Sequence, residues 1–142
     1  MILITDSNII FSAIISPKSD IAKILLKNSK VQFFAPAHIF VEIQEHTSKI
    51  IEVAEISKKT FFERYRVILT RIKILGDINK KSTQKALKIL SNIDIDDTAF
   101  VALHFQTKHK IWTGDKKLID GLKAQGYDIC VTTTELKKKL KI

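Results

Sequence analysis

The chain has 142 residues, one cysteine, 24 basic and 15 acidic side chains, and a formal net charge of +9. That length suits one domain with a substantial core, and 45% hydrophobic with 27% charged residues excludes a disordered tail or a fibrous repeat. The lone Cys130 excludes an internal disulfide, and no apolar run approaches the ~18 residues of a membrane-spanning helix.

Met1 to Thr5 is a short apolar run that reads as a buried strand. It carries no signal-peptide layout, so the expectation is a cytoplasmic protein that does not enter a membrane. Asp6-Ser7-Asn8 then offers N-cap chemistry for a helix to about Ser16, stopped by Pro17. Ser19 or Asp20 caps a second helix, and Val31 to Phe34 reads as a second strand. Pro36 suits the first turn of a helix with Ile39, Phe40, Ile43 and Thr47 on one face. Helical stretches follow at about 48–56 and 57–71, then a third strand from Ile72 to Leu75. A helix over Ser82 to Leu90 leads to an acidic knot at Asp94 to Asp97, and a further helix runs to about Thr107. Lys110 to Thr113 is a fourth strand and Lys116 to Gln125 a helix with a Gly126 stop. Tyr127 to Val131 is a fifth strand, and Thr133 or Thr134 caps the last helix.

Strands alternating with helices imply parallel pairing through right-handed crossovers, and solid apolar strands imply a sheet covered on both faces. Ligands of such sheets bind beyond the carboxyl ends of the strands. Asp6 follows strand one, Asp115 follows strand four, and Asp97 opens the helix before strand four. Glu42 lies beside the buried face of the helix after strand two. Helix capping accounts for each Asp singly. Jointly, four converging carboxylates without an intervening Lys or Arg repel one another. A hard divalent cation, Mg²⁺ or Mn²⁺, relieves that repulsion through oxygen ligands and suits phosphoester hydrolysis.

Four segments, in this order and at this spacing, resemble the PIN-domain family of metal-dependent ribonucleases. They are Leu3-Ile4-Thr5-Asp6-Ser7-Asn8-Ile9-Ile10, Phe40-Val41-Glu42-Ile43-Gln44-Glu45-His46, the stretch from Asp94 to Leu103, and Trp112-Thr113-Gly114-Asp115-Lys116-Lys117-Leu118. The resemblance spans nearly the whole chain. It implies a three-layer α/β/α sandwich, a parallel five-stranded sheet in the order 3-2-1-4-5, and an acidic quartet at Asp6, Glu42, Asp97 and Asp115. Asn8 matches a position that braces the first Asp, and Thr113 a hydroxyl that orients the last acid. Asp94 and Asp96 are secondary ligand candidates. The resemblance further implies an endoribonuclease acting on RNA and leaving a 5′-phosphate and a 3′-hydroxyl. Small members of the family include toxins of toxin–antitoxin pairs, so a cognate antitoxin and a homodimer are expected partners.

Other readings fit less well. Asp94-x-Asp96-x-Thr98 matches the haloacid-dehalogenase signature, but it does not end a first strand and too little chain follows. An EF-hand lacks its glycine and final glutamate. A receiver-type phosphoacceptor needs an acidic neighbour that Asp6 does not have. A non-catalytic binding module on the same fold remains the alternative. His46, four residues after Glu42, reads as surface, while His38, His104 and His109 read as structural or surface. Trp112 and the phenylalanines read as core. Lys116 and Lys117, next to Asp115, are the candidates for phosphate contact. Lysine abundance alone also follows from an AT-rich genome. The partition is more telling: with Asp6, Glu42, Asp94, Asp96, Asp97 and Asp115 set apart, nine acids against 24 bases leave the rest at +15.

Overall fold

A computed structural model describes residues 1–142. Five parallel strands form one sheet in the order β3-β2-β1-β4-β5. They are β1 (Ile2–Thr5), β2 (Gln32–Pro36), β3 (Ile72–Leu75), β4 (Lys110–Trp112) and β5 (Cys130–Val131). The helices are α1 (Ser7–Ile15), α2 (Asp20–Lys27), α3 (Ile39–Ala54), α4 (Lys58–Leu69), α5 (Lys80–Leu90), α6 (Thr98–Thr107), α7 (Lys116–Ala124) and α8 (Thr133–Leu140). A 3-10 turn over Ile95–Asp97 leads into α6.

The chain steps from β1 to β2 to β3 in one direction and from β4 to β5 in the other. Right-handed crossovers therefore deposit helices on opposite faces of the sheet. α1 packs against α2, α3 and α4 on one side, and α8 joins them through Lys137, 2.7 Å from Asp20 of α2. α6 lies across β1, β2 and β4 on the other side, with α5 against it. α7 joins this second layer, where Gln125 Nε2 donates to the Ile89 carbonyl at 2.8 Å. This is the three-layer sandwich and strand order implied by the family resemblance. β1 and β4 are neighbours across the point where the direction of travel reverses, and their ends open the crevice where such folds bind ligands.

Several boundaries differ from the sequence reading for local reasons. Pro36 does not start a helix. It ends β2 opposite Leu75, where its missing N–H costs no internal ladder bond. Residues 39–54 form one helix rather than two, because nothing at Thr47 or Ser48 breaks it. Thr47 Oγ1 donates back to the Ile43 carbonyl at 2.6 Å and leaves the helix intact. Phe40 is exposed, since Ile39, Ile43 and Ile50 define the buried stripe and Phe40 falls to one side of it. α5 starts at Lys80, capped by Asn79, rather than at Ser82. β4 ends at Trp112, and β5 is only two residues long because Tyr127 is still closing α7. The Tyr127 N–H reaches the Leu122 carbonyl at 2.9 Å over Gly126, whose φ of +90° favours glycine. α8 is capped one residue early by Thr132, with Glu135 completing a capping box. The core reading holds for Trp112, which is buried, as is Cys130. Phe62 is instead partly exposed beside Phe61 and Tyr65.

Two of the three arginines are structural. Arg64 Nη1 donates to the Ile14 carbonyl at 2.6 Å, in the last turn of α1. Arg71 Nε and Nη2 donate to the Leu25 and Asn28 carbonyls at 2.9 and 2.6 Å, closing the end of α2. Helix ends leave such carbonyls without internal partners. Arg71→Ala is therefore expected to lower stability by about 2 kcal/mol, with Arg71→Lys restoring less than half. Denaturant midpoints of the two variants check this, and an unchanged midpoint for Arg71→Ala would contradict it.

Candidate active site

Every acid of interest is delivered to the carboxyl edge of the sheet by an element that starts there. Asp6 leaves β1 and caps α1, its Oδ1 accepting from Ile9 N–H at 3.0 Å. Its Oδ2 accepts from the Thr113 hydroxyl. Asp115 caps α7, its Oδ1 accepting from Leu118 N–H at 3.2 Å, while its own N–H donates to Thr113 Oγ1 at 3.1 Å. Glu42 comes from the first turn of α3, where its Oε2 accepts from the Ser7 hydroxyl at 2.7 Å. Asp97 ends the 3-10 turn at the head of α6 and makes no capping bond with its side chain.

That last difference separates Asp97 from its neighbours. Capping explains the placement of Asp6 and Asp115, but not of Asp97. Its Oδ2 is buried without a hydrogen-bond partner, as is Oε1 of Glu42. Burial, and then repulsion from Asp94, Asp115, Asp6 and Glu42, pushes the Asp97 carboxyl up to about 7. Burial likewise raises Asp6 to about 6, against the lowering pull of the Thr113 and Ile9 bonds. Glu42 is raised by burial, while Ser7 and His38 pull it down. No Lys or Arg neutralises any of the four, since the chain's ion pairs are His38–Glu42 at 3.8 Å and Lys137–Asp20. Of the five buried polar residues, Thr5, Asp6, Ser7 and Thr113 all lie here.

The remaining expected residues are placed less centrally. Asp94 caps the 3-10 turn, its Oδ1 accepting from Asp96 N–H at 3.0 Å, and Asp96 is exposed. Asn8 does not brace Asp6. It is exposed on α1, and the Thr113 hydroxyl and the Ile9 N–H hold Asp6 instead. Thr113 serves both Asp6 and Asp115 rather than the last acid alone. Lys116 and Lys117 are exposed on the first turn of α7. His46 is exposed, edge-on to Phe11. Two residues were missed. Ser7 sits beside Asn8 in the same cap motif, and only the position of α3 decides which one turns inward. His38 was legible, because it precedes Glu42 by the four residues that bring side chains together on a helix.

The PIN-domain family matches residues 4–141. The chain belongs to that family. Among curated proteins, none matches it. A PIN domain has a nuclease-type fold, and members of the family typically bind divalent metals. In this PIN domain the donor set fits such an ion chemically: oxygen atoms from the four acids, no Lys or Arg paired with them, and two partnerless buried oxygens. As the side chains stand, no three acidic or histidine groups close on one ion-sized point.

The raised carboxyls have a consequence for stability. Asp6 and Asp97 stay protonated in the folded chain to about 6 and about 7, against 3.8 as the ordinary value. Their stabilising contribution is complete below that ordinary value and is lost as pH rises through 6 to 7. In EDTA, Asp6→Asn is therefore expected to raise the melting temperature over the native chain more at pH 8 than at pH 5. Equal differences at the two pH values would show that ionising Asp6 carries no cost.

Proposed function

We propose that this PIN domain is a Mg²⁺- or Mn²⁺-dependent endoribonuclease. The observation that carries the reading is Asp97. It is a carboxylate with a buried, partnerless oxygen, no structural bond to make, and four other acids raising its proton affinity. Such a group gains most from a hard cation.

Asp6, Asp97 and Asp115 would hold the ion, with Glu42 as a further ligand or as the group that positions water. When bound, the ion supplies positive charge to polarise the scissile phosphate and to acidify water. The Thr113 hydroxyl holds Asp6 in one orientation, and Ser7 does the same for Glu42. Lys116 and Lys117 lie one and two residues beyond Asp115, where their ammonium groups would grip the RNA backbone. The family's small members supply the wider reading of a homodimeric toxin held by a cognate antitoxin. A small acidic protein encoded next door that co-purifies with the chain is the support to seek.

Cleavage of single-stranded RNA in Mn²⁺ tests the proposal. Asp97→Asn and Asp6→Asn are each expected to cut the rate about 100-fold or more, since even outer partners of metal ligands are worth 10–100-fold. Activity that survives EDTA or either substitution would refute it. The alternative, a non-catalytic binding module, predicts RNA binding without turnover in any divalent ion. Mn²⁺ is also expected to raise the melting temperature of the native chain, and Asp6→Asn to abolish the rise. Ser7→Ala should require about 10- to 100-fold more Mn²⁺ for the same rate, because it frees Glu42 to turn.

A further inference from the structure

A second polar site lies at the other end of the α5–α6 layer. α6 runs from Thr98 to Thr107, about 15 Å at the usual rise per residue, and α5 starts where α6 ends. Gln106 pins the two together: its Oε1 accepts from Asn79 N–H at 2.7 Å and its Nε2 donates to the Asp77 carbonyl at 2.8 Å. Between them is a cavity of about 330 Å³ lined by Lys81, Lys85, Lys108, Ser82, Asn79 and Gln106, with Phe105 its sole hydrophobic wall. No carboxylate pairs with any of the three lysines.

Two details mark it as a built site rather than a patch of surface lysines. Ser82 is only 8% exposed, and its hydroxyl, which bonds to no group of the chain, is open to the cavity. All other buried polar residues serve the acidic edge. Lys85 is also held in place, with its Nζ 4.3 Å from the Phe105 ring centroid and 5.9 Å from that of Tyr127. Asn79 caps the Ser82 N–H at 2.7 Å, so the first turn of α5 adds the free backbone N–H groups of Lys80 and Lys81. The positive field reaches His104, whose imidazole is driven toward neutrality by burial first and then by Lys108 and Lys85.

We propose that this cavity binds a phosphate group, with the Ser82 hydroxyl as a direct donor and Lys81, Lys85 and Lys108 supplying the charge. Free phosphate monoesters and the phosphodiesters of an RNA strand share that chemistry. The site does not depend on the nuclease reading, and the test is arranged to keep the two apart.

Amide resonances of the full-length chain, in EDTA so that nothing is cleaved, are followed while inorganic phosphate and a short single-stranded RNA are added in separate titrations. Saturable shifts of Lys81, Ser82 and Lys108 are expected. Shifts with phosphate alone identify a monoester as the source, and shifts with RNA identify the strand. Ser82→Ala and Lys85→Ala should each weaken the response by about tenfold. Lys108→Gly separates binding from folding. Lys108 has φ +67°, which glycine adopts without strain, so this variant should melt at a higher temperature and yet bind more weakly. No shift with either ligand, or shifts undiminished in all three variants, would overturn the proposal.

Discussion

Thr113 stands where the sheet changes its direction of travel, and its one hydroxyl is used twice. It donates to Asp6, at the end of β1, and accepts from the backbone of Asp115, two residues beyond it. The two segments are more than a hundred residues apart in sequence, and the pairing of Thr5 with Trp112 brings them together. Carboxylates crowded at that point repel one another, and three of the four are held there by bonds that do not involve the other acids. Asp6 has Thr113 and Ile9, Asp115 has Leu118, and Glu42 has Ser7. Backbone N–H groups and hydroxyls do the holding, and the charge is left uncompensated. Asp97, with no such bond, is raised further than Asp6, which has two.

Much of this architecture can be read in the sequence, because it is written in short-range chemistry. β3 has the bounds that its apolar run suggests, and Gly126 ends α7 through a backbone angle that favours glycine. Asp6 and Asp115 announce themselves as helix caps after apolar strands. What escapes is what depends on two distant segments meeting. That Ser7 rather than Asn8 faces Glu42 is decided by how α1 packs on α3. That Pro36 belongs to β2 is decided by its pairing with β3, because its ring suits a strand end as well as a helix start. Residues 39–54 stay one helix because nothing at Thr47 or Ser48 interrupts it, even though Thr47 turns its hydroxyl back onto the Ile43 carbonyl.

The net charge of +9 has a structure of its own. Arg64 and Arg71 are spent on carbonyls at helix ends, and the planar fork of Arg71 closes two bonds at once. The lysines carry most of the remaining positive charge, and only Lys137 has an ion-pair partner. Compact ammonium groups on flexible stems suit a ligand whose phosphates recur along its length. Six of the fifteen acids are gathered at one edge of the sheet, so the molecule presents a negative crevice in a positive surround.

Trp112 is the only tryptophan in the chain. It is fully buried beside Phe33, its indole N–H donates to Thr133 at 3.0 Å, and it immediately precedes Thr113. The tryptophan fluorescence of this protein therefore comes from a single known position, one residue from the hydroxyl that joins Asp6 to Asp115. A rearrangement of the acidic edge that moves Thr113 pulls on the indole and changes its emission. The molecule carries its own optical gauge of the site, with no label attached.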